Sequence, residues 1–327
     1  MNQTTAGVAD DLDPDIRRFQ REMAAAYGRY PDFDRLPLTE RRRIAEEVRA
    51  PWAAGGPVMH STETLNVGPF GVRIRIHRPD ARQVLPALIY VHGGGWTLFS
   101  LDTHDRLMRE YAARAGVAVV GIDYSLSPEA KFPRALDEIV SVVRWLRSEG
   151  AAHGLDPQRI AIGGDSAGGN LSVAANLALL RDGDAPLSAI LVNYGAFDRE
   201  SVYPSYERYD GPEYNLTTAE MAVFWANYLR GAQDFSDPLA SPMRAEVAGL
   251  PPTFFAVAAC DVLADENRAM ADRLRAAGVP VMLREYAGAT HSFLEAVSIS
   301  PLADRAFAEA STWLAAQISA NNDNDSQ

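Results

Sequence analysis

Residues 164–168 read Gly164-Asp165-Ser166-Ala167-Gly168 and follow directly on the apolar run Ile160-Ala161-Ile162-Gly163. A serine framed by glycines between a strand and a helix is the pattern of a nucleophile elbow. The chain must reverse within about four residues, which strains the serine backbone and leaves Oγ exposed. Gly164 and Gly168 suit such a turn, because a side chain at either place would crowd the neighbouring chain. The Ala167 N–H and the N-terminus of the new helix would face any oxygen bound there. The short pattern alone also fits a turn that merely joins two elements. The helix-like stretch Asn170–Leu180 after it favours the elbow.

A serine needs an oxyanion site, a base and an acid. Pro86–Val91 is an apolar strand that ends in His92-Gly93-Gly94-Gly95-Trp96. Gly93, Gly94 and Gly95 offer unobstructed backbone N–H groups, with Ala167 N–H as a further donor for a developing alkoxide. A phosphate-cradling loop is the weaker reading, since neither the P-loop lysine nor the G-x-G-x-x-G spacing is present. His92 is expected to brace this loop rather than act as a base. A strand–turn–helix elbow goes with the chain order nucleophile, acid, histidine. Of the six histidines only His291 follows Ser166. It lies in a glycine-containing loop after the strand-like Val281–Tyr286. Between them, Asp261 sits at the end of the buried-strand run Pro252–Ala259 and is the expected acid. Asp265 and Glu266 read as the charged opening of the next helix. The chemistry this set implies is serine acyl transfer. His291 would take the Ser166 proton, Asp261 would hold the imidazole, and water would clear the acyl-enzyme.

Taken together, these segments resemble the hormone-sensitive-lipase-like branch of the α/β-hydrolases, on His92–Trp96 paired with Gly164–Gly169. Leu101–Arg109 and Ile122–Pro133 look closer still to bacterial acetyl esterases. Asp261–Glu266 and His291–Phe293 resemble that family's acid and histidine motifs. Val262 stands where proline is common and Ser292 where glycine or alanine is common; neither supplies a reacting group. The resemblance runs from about residue 60 to the C-terminal helix. It implies a serine carboxylesterase for short-chain, acetyl-like acyl esters, without metal or organic cofactor. It carries Ser166, Asp261 and His291 over as the triad, with Gly93, Gly94, Gly95 and Ala167 as oxyanion donors.

The chain of 327 residues carries a net charge of −12 and one cysteine, Cys260. Such a charge disfavours nucleic acid or an anionic membrane as a partner. No apolar run approaches the roughly 20 residues that span a bilayer. The first residues lack the basic and apolar regions of a secretory signal, and a lone cysteine fits a reducing compartment. A cytoplasmic enzyme acting on a small-molecule ester is the expectation, with pairing into a homodimer left open.

Beyond residue 60, strand and helix patterns alternate. Strands are expected at 61–67, 70–78, 86–92, 117–123, 158–163, 188–194, 252–259 and 280–286. Helices are expected at 103–115, 133–149, 168–182, 262–277 and 302–318. That rhythm predicts an α/β-hydrolase fold, a mostly parallel eight-stranded sheet with helices on both faces and a helical cap. The expected organisation is an N-terminal helical cap segment 1–56 and core 57–199. A cap insertion 200–232, core 233–320 and a polar tail 321–327 follow. Amphipathic helices at 14–28 and 38–50 and the aromatic-rich 200–232 are expected to meet as a lid over Ser166. Most of the aromatics Tyr203, Tyr206, Tyr209, Tyr214, Phe224, Trp225 and Tyr228 should form the core of that cap. Trp96, Leu98, Phe99, Asp165 and Tyr194 are candidate pocket residues. Glu129 is expected to be buried and partnered, as structural support. An amidase or arylformamidase with the same triad, and a non-catalytic binding module of the same fold, are the competing readings.

Overall fold

The computed structural model describes residues 11–200 and 202–320. Residues 1–10 of the expected N-terminal segment and the expected tail 321–327 lie outside the described residues.

Eight strands among the described residues form one sheet. They are β1 Ser61–Val67, β2 Val72–Arg78, β3 Leu85–Val91, β4 Ala118–Asp123, β5 Leu155–Asp165, β6 Ile190–Asn193, β7 Thr253–Ala258 and β8 Val281–Tyr286, in the order β1-β2-β4-β3-β5-β6-β7-β8. β1 and β2 form the expected edge hairpin, with Val67 opposite Val72, and β2 runs antiparallel to β4. From β4 to β8 every pairing is parallel. Ligands of such sheets bind beyond the carboxyl ends of the strands. β5 runs longer than its apolar stretch predicts and delivers Asp165 straight to Ser166.

The helices are α1 Pro14–Tyr27, α2 Leu38–Ala53, α3 Asp105–Ala115, α4 Arg134–Glu149, α5 Ala167–Arg181, α6 Pro204–Arg208, α7 Thr218–Tyr228, α8 Ala232–Phe235, α9 Ala264–Ala276 and α10 Pro301–Ala320. Both faces of the sheet are covered, and β3 shows how. Its side chains alternate, so Ala87, Ile89 and Val91 join one core with α4, α5 and α9. Leu88 and Tyr90 join the other with α1, α2, α3 and α10. α5 is buried from Ala167 to Leu179, which anchors the elbow in the interior.

The two segments outside the alternation fall on opposite sides of the carboxyl edge. α1 starts at Asp13, whose side chain accepts from Asp15 N–H and Ile16 N–H, with Pro14 at the first helical position. It buries Ile16, Phe19, Gln20 and Met23, one face of a helical period. α7 opens with a reciprocal capping box between Thr217 and Glu220. Its Trp225 and Tyr228 bury themselves in the core shared with α4 and α5. Among the described residues no helix is long and apolar enough to cross a membrane.

Candidate active site

Ser166 sits between β5 and α5 with φ 53° and ψ −118°, the strained backbone an elbow demands. Its N–H donates to the Asn193 carbonyl at 2.9 Å. A Cβ on Gly164 or on Gly168 would strike the Val91 carbonyl oxygen, so β3 can pass only if both are glycine. His291 Nε2 lies 2.9 Å from Ser166 Oγ, and His291 Nδ1 lies 2.7 Å from Asp261 Oδ2. Asp261 Oδ1 accepts from Leu263 N–H at 3.0 Å. All three side chains are buried. A carboxylate facing Nδ1 assigns the imidazole proton there and leaves Nε2 to accept from the serine.

The loop that carries His291 is held from three directions. Asn215 Nδ2 donates to the His291 carbonyl at 3.0 Å. Gln20 Nε2 of α1 donates to Thr290 Oγ1 at 2.6 Å. The Tyr194 ring stands edge-on to the imidazole, centroids 5.0 Å apart.

On the oxyanion side the structure narrows the expected donor set. Gly93 N–H donates to Asp165 Oδ1 at 3.1 Å and is therefore not free for substrate. The N–H groups of Gly94, Gly95 and Ala167 have no protein acceptor among the described residues. Gly94 and Gly95 also line the cavity onto which Ser166 opens. Gly95 has φ +58°, and a Cβ there would enter the Phe224 ring. His92 braces the loop as expected: its Nδ1 donates to the Gly93 carbonyl at 2.8 Å and its ring stacks on Tyr124. Burial, then the nearby His104, pushes its pKa down to about 3, so it stays neutral.

The Asp165 carboxylate is taken up by protein partners and ties the end of β3 to the start of α3. It accepts from Tyr90 Oη at 2.9 Å and faces His104 Nε2 at 3.3 Å. Burial would raise its pKa, but the charge and hydrogen bonds of His104 and the Tyr90 hydroxyl outweigh that and hold it low. The same pairing overcomes burial at His104 and raises its pKa.

The cavity over Ser166 has a volume of about 900 Å³, and residues from both α1–α2 and 212–224 line it. Leu98, Phe99 and Asp165 border it as expected. Trp96 and Tyr194 do not. Trp96 has φ 56° and is buried in a stack on Tyr228, centroids 4.3 Å apart. Tyr194 packs behind His291 instead. Of the aromatics in 200–232 that were singled out, Phe224 lines the cavity, while Tyr206, Trp225 and Tyr228 are core.

Several positioning residues are not evident in the sequence, because their partners are remote along the chain. Arg42 of α2 donates to the Thr97 and Ser127 carbonyls and makes a two-pronged pair with Glu129 at 2.8 and 2.9 Å. Glu129 has the expected partner but is exposed rather than buried. Glu266 is not a surface helix cap. It is buried, accepting from Phe197 N–H, Asp198 N–H and Tyr206 Oη. Burial raises its pKa to about 8. Asn267 beside it exchanges hydrogen bonds with the Gly195 backbone. Cys260 is buried, and burial lifts its thiol pKa to about 11, so it is unreactive at neutral pH.

Residues 88–295 match a family model described as alpha/beta hydrolase fold. The chain belongs to the hormone-sensitive-lipase-like family of α/β-hydrolases. It is 35% identical over 304 residues to an ethyl acetate hydrolase of Pseudomonas putida, an alignment spanning 90% of this chain and 95% of that one. It is 34% identical to an acetyl esterase of Salmonella choleraesuis over 82% of this chain and 83% of the relative. Among solved structures, the hyperthermophilic esterase of the archaeon Pyrobaculum calidifontis superposes with a TM-score of 0.85 at 31% identity. That match covers 93% of this hydrolase and 98% of the esterase. The hydrolase is a carboxylic ester hydrolase, and the reading as a non-catalytic binding module is set aside.

Proposed function

We propose that this hydrolase cleaves short-acyl, acetyl-like esters through an acyl-enzyme on Ser166. The observation that carries the reading is the unbroken chain Ser166 Oγ, His291, Asp261 beside backbone donors that have no acceptor among the described residues. Ser166 Oγ attacks the ester carbonyl carbon while His291 Nε2 takes its proton. The carbonyl oxygen becomes an alkoxide held by the N–H groups of Gly94, Gly95 and Ala167. Asp261 stabilises the imidazolium. The tetrahedral adduct collapses as Nε2 returns the proton to the leaving alcohol. Water, deprotonated by the same nitrogen, then attacks the acyl-enzyme and releases the acid. α1 and α2 together with the stretch 202–232 act as a lid. Phe224 against Gly95, with Leu98 and Phe99, limits the acyl end, in keeping with the names of the ethyl acetate and acetyl ester relatives.

The test is an acyl-chain-length series of nitrophenyl esters with Ser166→Ala as control. Highest kcat/KM on the shortest chains and loss of turnover in the variant are expected. Preference for long acyl chains would overturn the short-acyl reading, and retained turnover in Ser166→Ala would overturn the mechanism. An N-formyl aromatic amine in the same series tests the amidase alternative.

A further inference from the structure

The cavity over Ser166 has two walls of different chemistry. α7 contributes an apolar wall of Ala219, Val223 and Phe224, with Val223 half exposed. Across from it, α1 and α2 contribute Tyr27, Arg41 and Arg49, all hydrogen-bond donors. Arg49 is more than nine-tenths buried. Its Nε lies 3.2 Å from Glu295 Oε2, its Nη1 donates to Tyr27 Oη at 2.7 Å, and its face covers the Phe99 ring at 3.8 Å. Nη2 makes no hydrogen bond to a described residue, and neither does the Tyr27 hydroxyl proton, since that oxygen is accepting from Arg49.

Arg41 differs from Arg49 in its surroundings. Among the described residues no carboxylate pairs with it, and its Nε is shielded from solvent without an acceptor. Its guanidinium lies 5.1 Å from the Phe33 ring. The carboxylates that border the cavity do not neutralise it. Asp34 and Glu220 are exposed, and Glu220 is engaged in the α7 capping box. Asp165 is occupied by Tyr90, Gly93 and His104. A chain with net charge −12 thus places, in the cavity onto which its serine opens, a cation that no carboxylate among the described residues pairs with, and spare donors. A neutral short ester uses none of them, whereas a carboxylate would match the donors in charge and geometry.

We propose that Arg41, with Arg49 Nη2 and the Tyr27 hydroxyl, forms an anion subsite, so that the preferred substrates are short esters carrying a carboxylate on the acyl or the alcohol part. This rests on the reading of Ser166 as the nucleophile. The subsite adjoins the oxyanion loop through Phe99, which lies under Arg49 and against Gly94.

The test compares kcat/KM within two matched pairs, followed by pH-stat titration. Monoethyl glutarate against ethyl pentanoate probes the acyl side, and acetoxybutanoate against butyl acetate the alcohol side. In one pair the charged ester should be preferred, and added salt should reduce that preference. Arg41→Gln should lower the charged-to-neutral ratio by about two- to fivefold, as for one partly exposed ion pair, and Arg41→Lys should recover part of it. Calorimetric binding of the charged ester to Ser166→Ala, weakened by Arg41→Gln, reads the subsite without turnover. The charged-to-neutral ratios of the proteins that keep Ser166 stand even if Ser166→Ala remains active, which would sink the nucleophile reading alone. Neutral esters preferred in both pairs, with ratio and binding unmoved by Arg41→Gln, would overturn the subsite.

Discussion

Replacing Asp261 with asparagine tests how the site sets the tautomer of His291. In the wild type, Asp261 Oδ1 accepts from Leu263 N–H at 3.0 Å and Oδ2 from His291 Nδ1 at 2.7 Å. Asparagine keeps the shape but makes the two ends unlike. The Leu263 N–H needs an acceptor, so the amide oxygen stays there and the NH₂ turns to His291 Nδ1. Nδ1 must then accept, and the ring proton moves to Nε2, the atom that has to take the proton of Ser166. Flipping the amide restores the tautomer but sets the Leu263 N–H against the NH₂, at about 1–3 kcal/mol in a buried site. The active arrangement would then be held by about one molecule in 5 to one in 150. The neutral amide also no longer stabilises the imidazolium as it forms. Together these place the loss in kcat at about 10³–10⁴, or ~4–5.5 kcal/mol. The assay is initial-rate hydrolysis of a short-acyl nitrophenyl ester at neutral pH, with thermal unfolding to show that the fold is kept. Asp261→Ala frees the ring to choose its tautomer, so it should be no slower than Asp261→Asn. An asparagine variant within tenfold of the wild-type kcat would refute the tautomer argument.

Gly95→Ala forces a Cβ toward the Phe224 ring at φ +58° and should displace a backbone donor. A fall in kcat of about 10²–10³ is expected, with partial recovery in the double variant with Phe224→Ala; full activity of the single variant would remove Gly95 from the oxyanion site. Glu266 changes its pKa from an ordinary 4.5 to about 8 on folding. The folded state therefore holds the extra proton between those values, and stability must decline as pH rises through that window. Denaturant midpoints measured at successive pH values should fall for the wild type and stay flatter for Glu266→Gln. Equal slopes for the two proteins would show that Glu266 ionises as an ordinary carboxyl.

The parts of the site that could be read from residue order are those fixed by chain direction. His291 is the histidine after Ser166, and Asp261 stands where a buried run stops, so residue order alone points to the two side chains that the fold brings together with Ser166. The strands were legible for a similar reason, since β3, β5 and β7 are continuous apolar runs. Their spatial order was not, because parallel neighbours such as β3 and β5 are joined only through β4 on the far side. The misplaced residues depend on partners remote in sequence. Nothing near Gly93 shows that its N–H belongs to Asp165, 72 positions on. Trp96 follows the glycine loop as a pocket residue would, but Tyr228 and a left-handed backbone draw it into the core. Glu266 reads as a first-turn carboxylate of α9, and only the backbone at Phe197 and Asp198 makes it a buried proton carrier.

Strain concentrates where that remote packing converges. Among the described residues, the non-glycine positions with positive φ are Trp96, Phe99, Ser166, Tyr194, Asn215 and Ser292. Every one borders the serine, the glycine loop or the histidine. Left-handed backbone costs an L-residue roughly 1–2 kcal/mol, so each must be over-determined by its surroundings. The clamps are visible: Tyr228 stacks on Trp96, Arg49 covers Phe99, and Asn193 receives the Ser166 N–H. The Ala256 carbonyl takes the Tyr194 N–H, and Asn215 reaches the His291 carbonyl. Several of these come from α2 and from 200–232, outside the motifs that carry the reacting groups. The helices around the cavity therefore do more than border it. They hold the glycine loop and the histidine loop in conformations that those loops, left to their own backbone preferences, would relax out of.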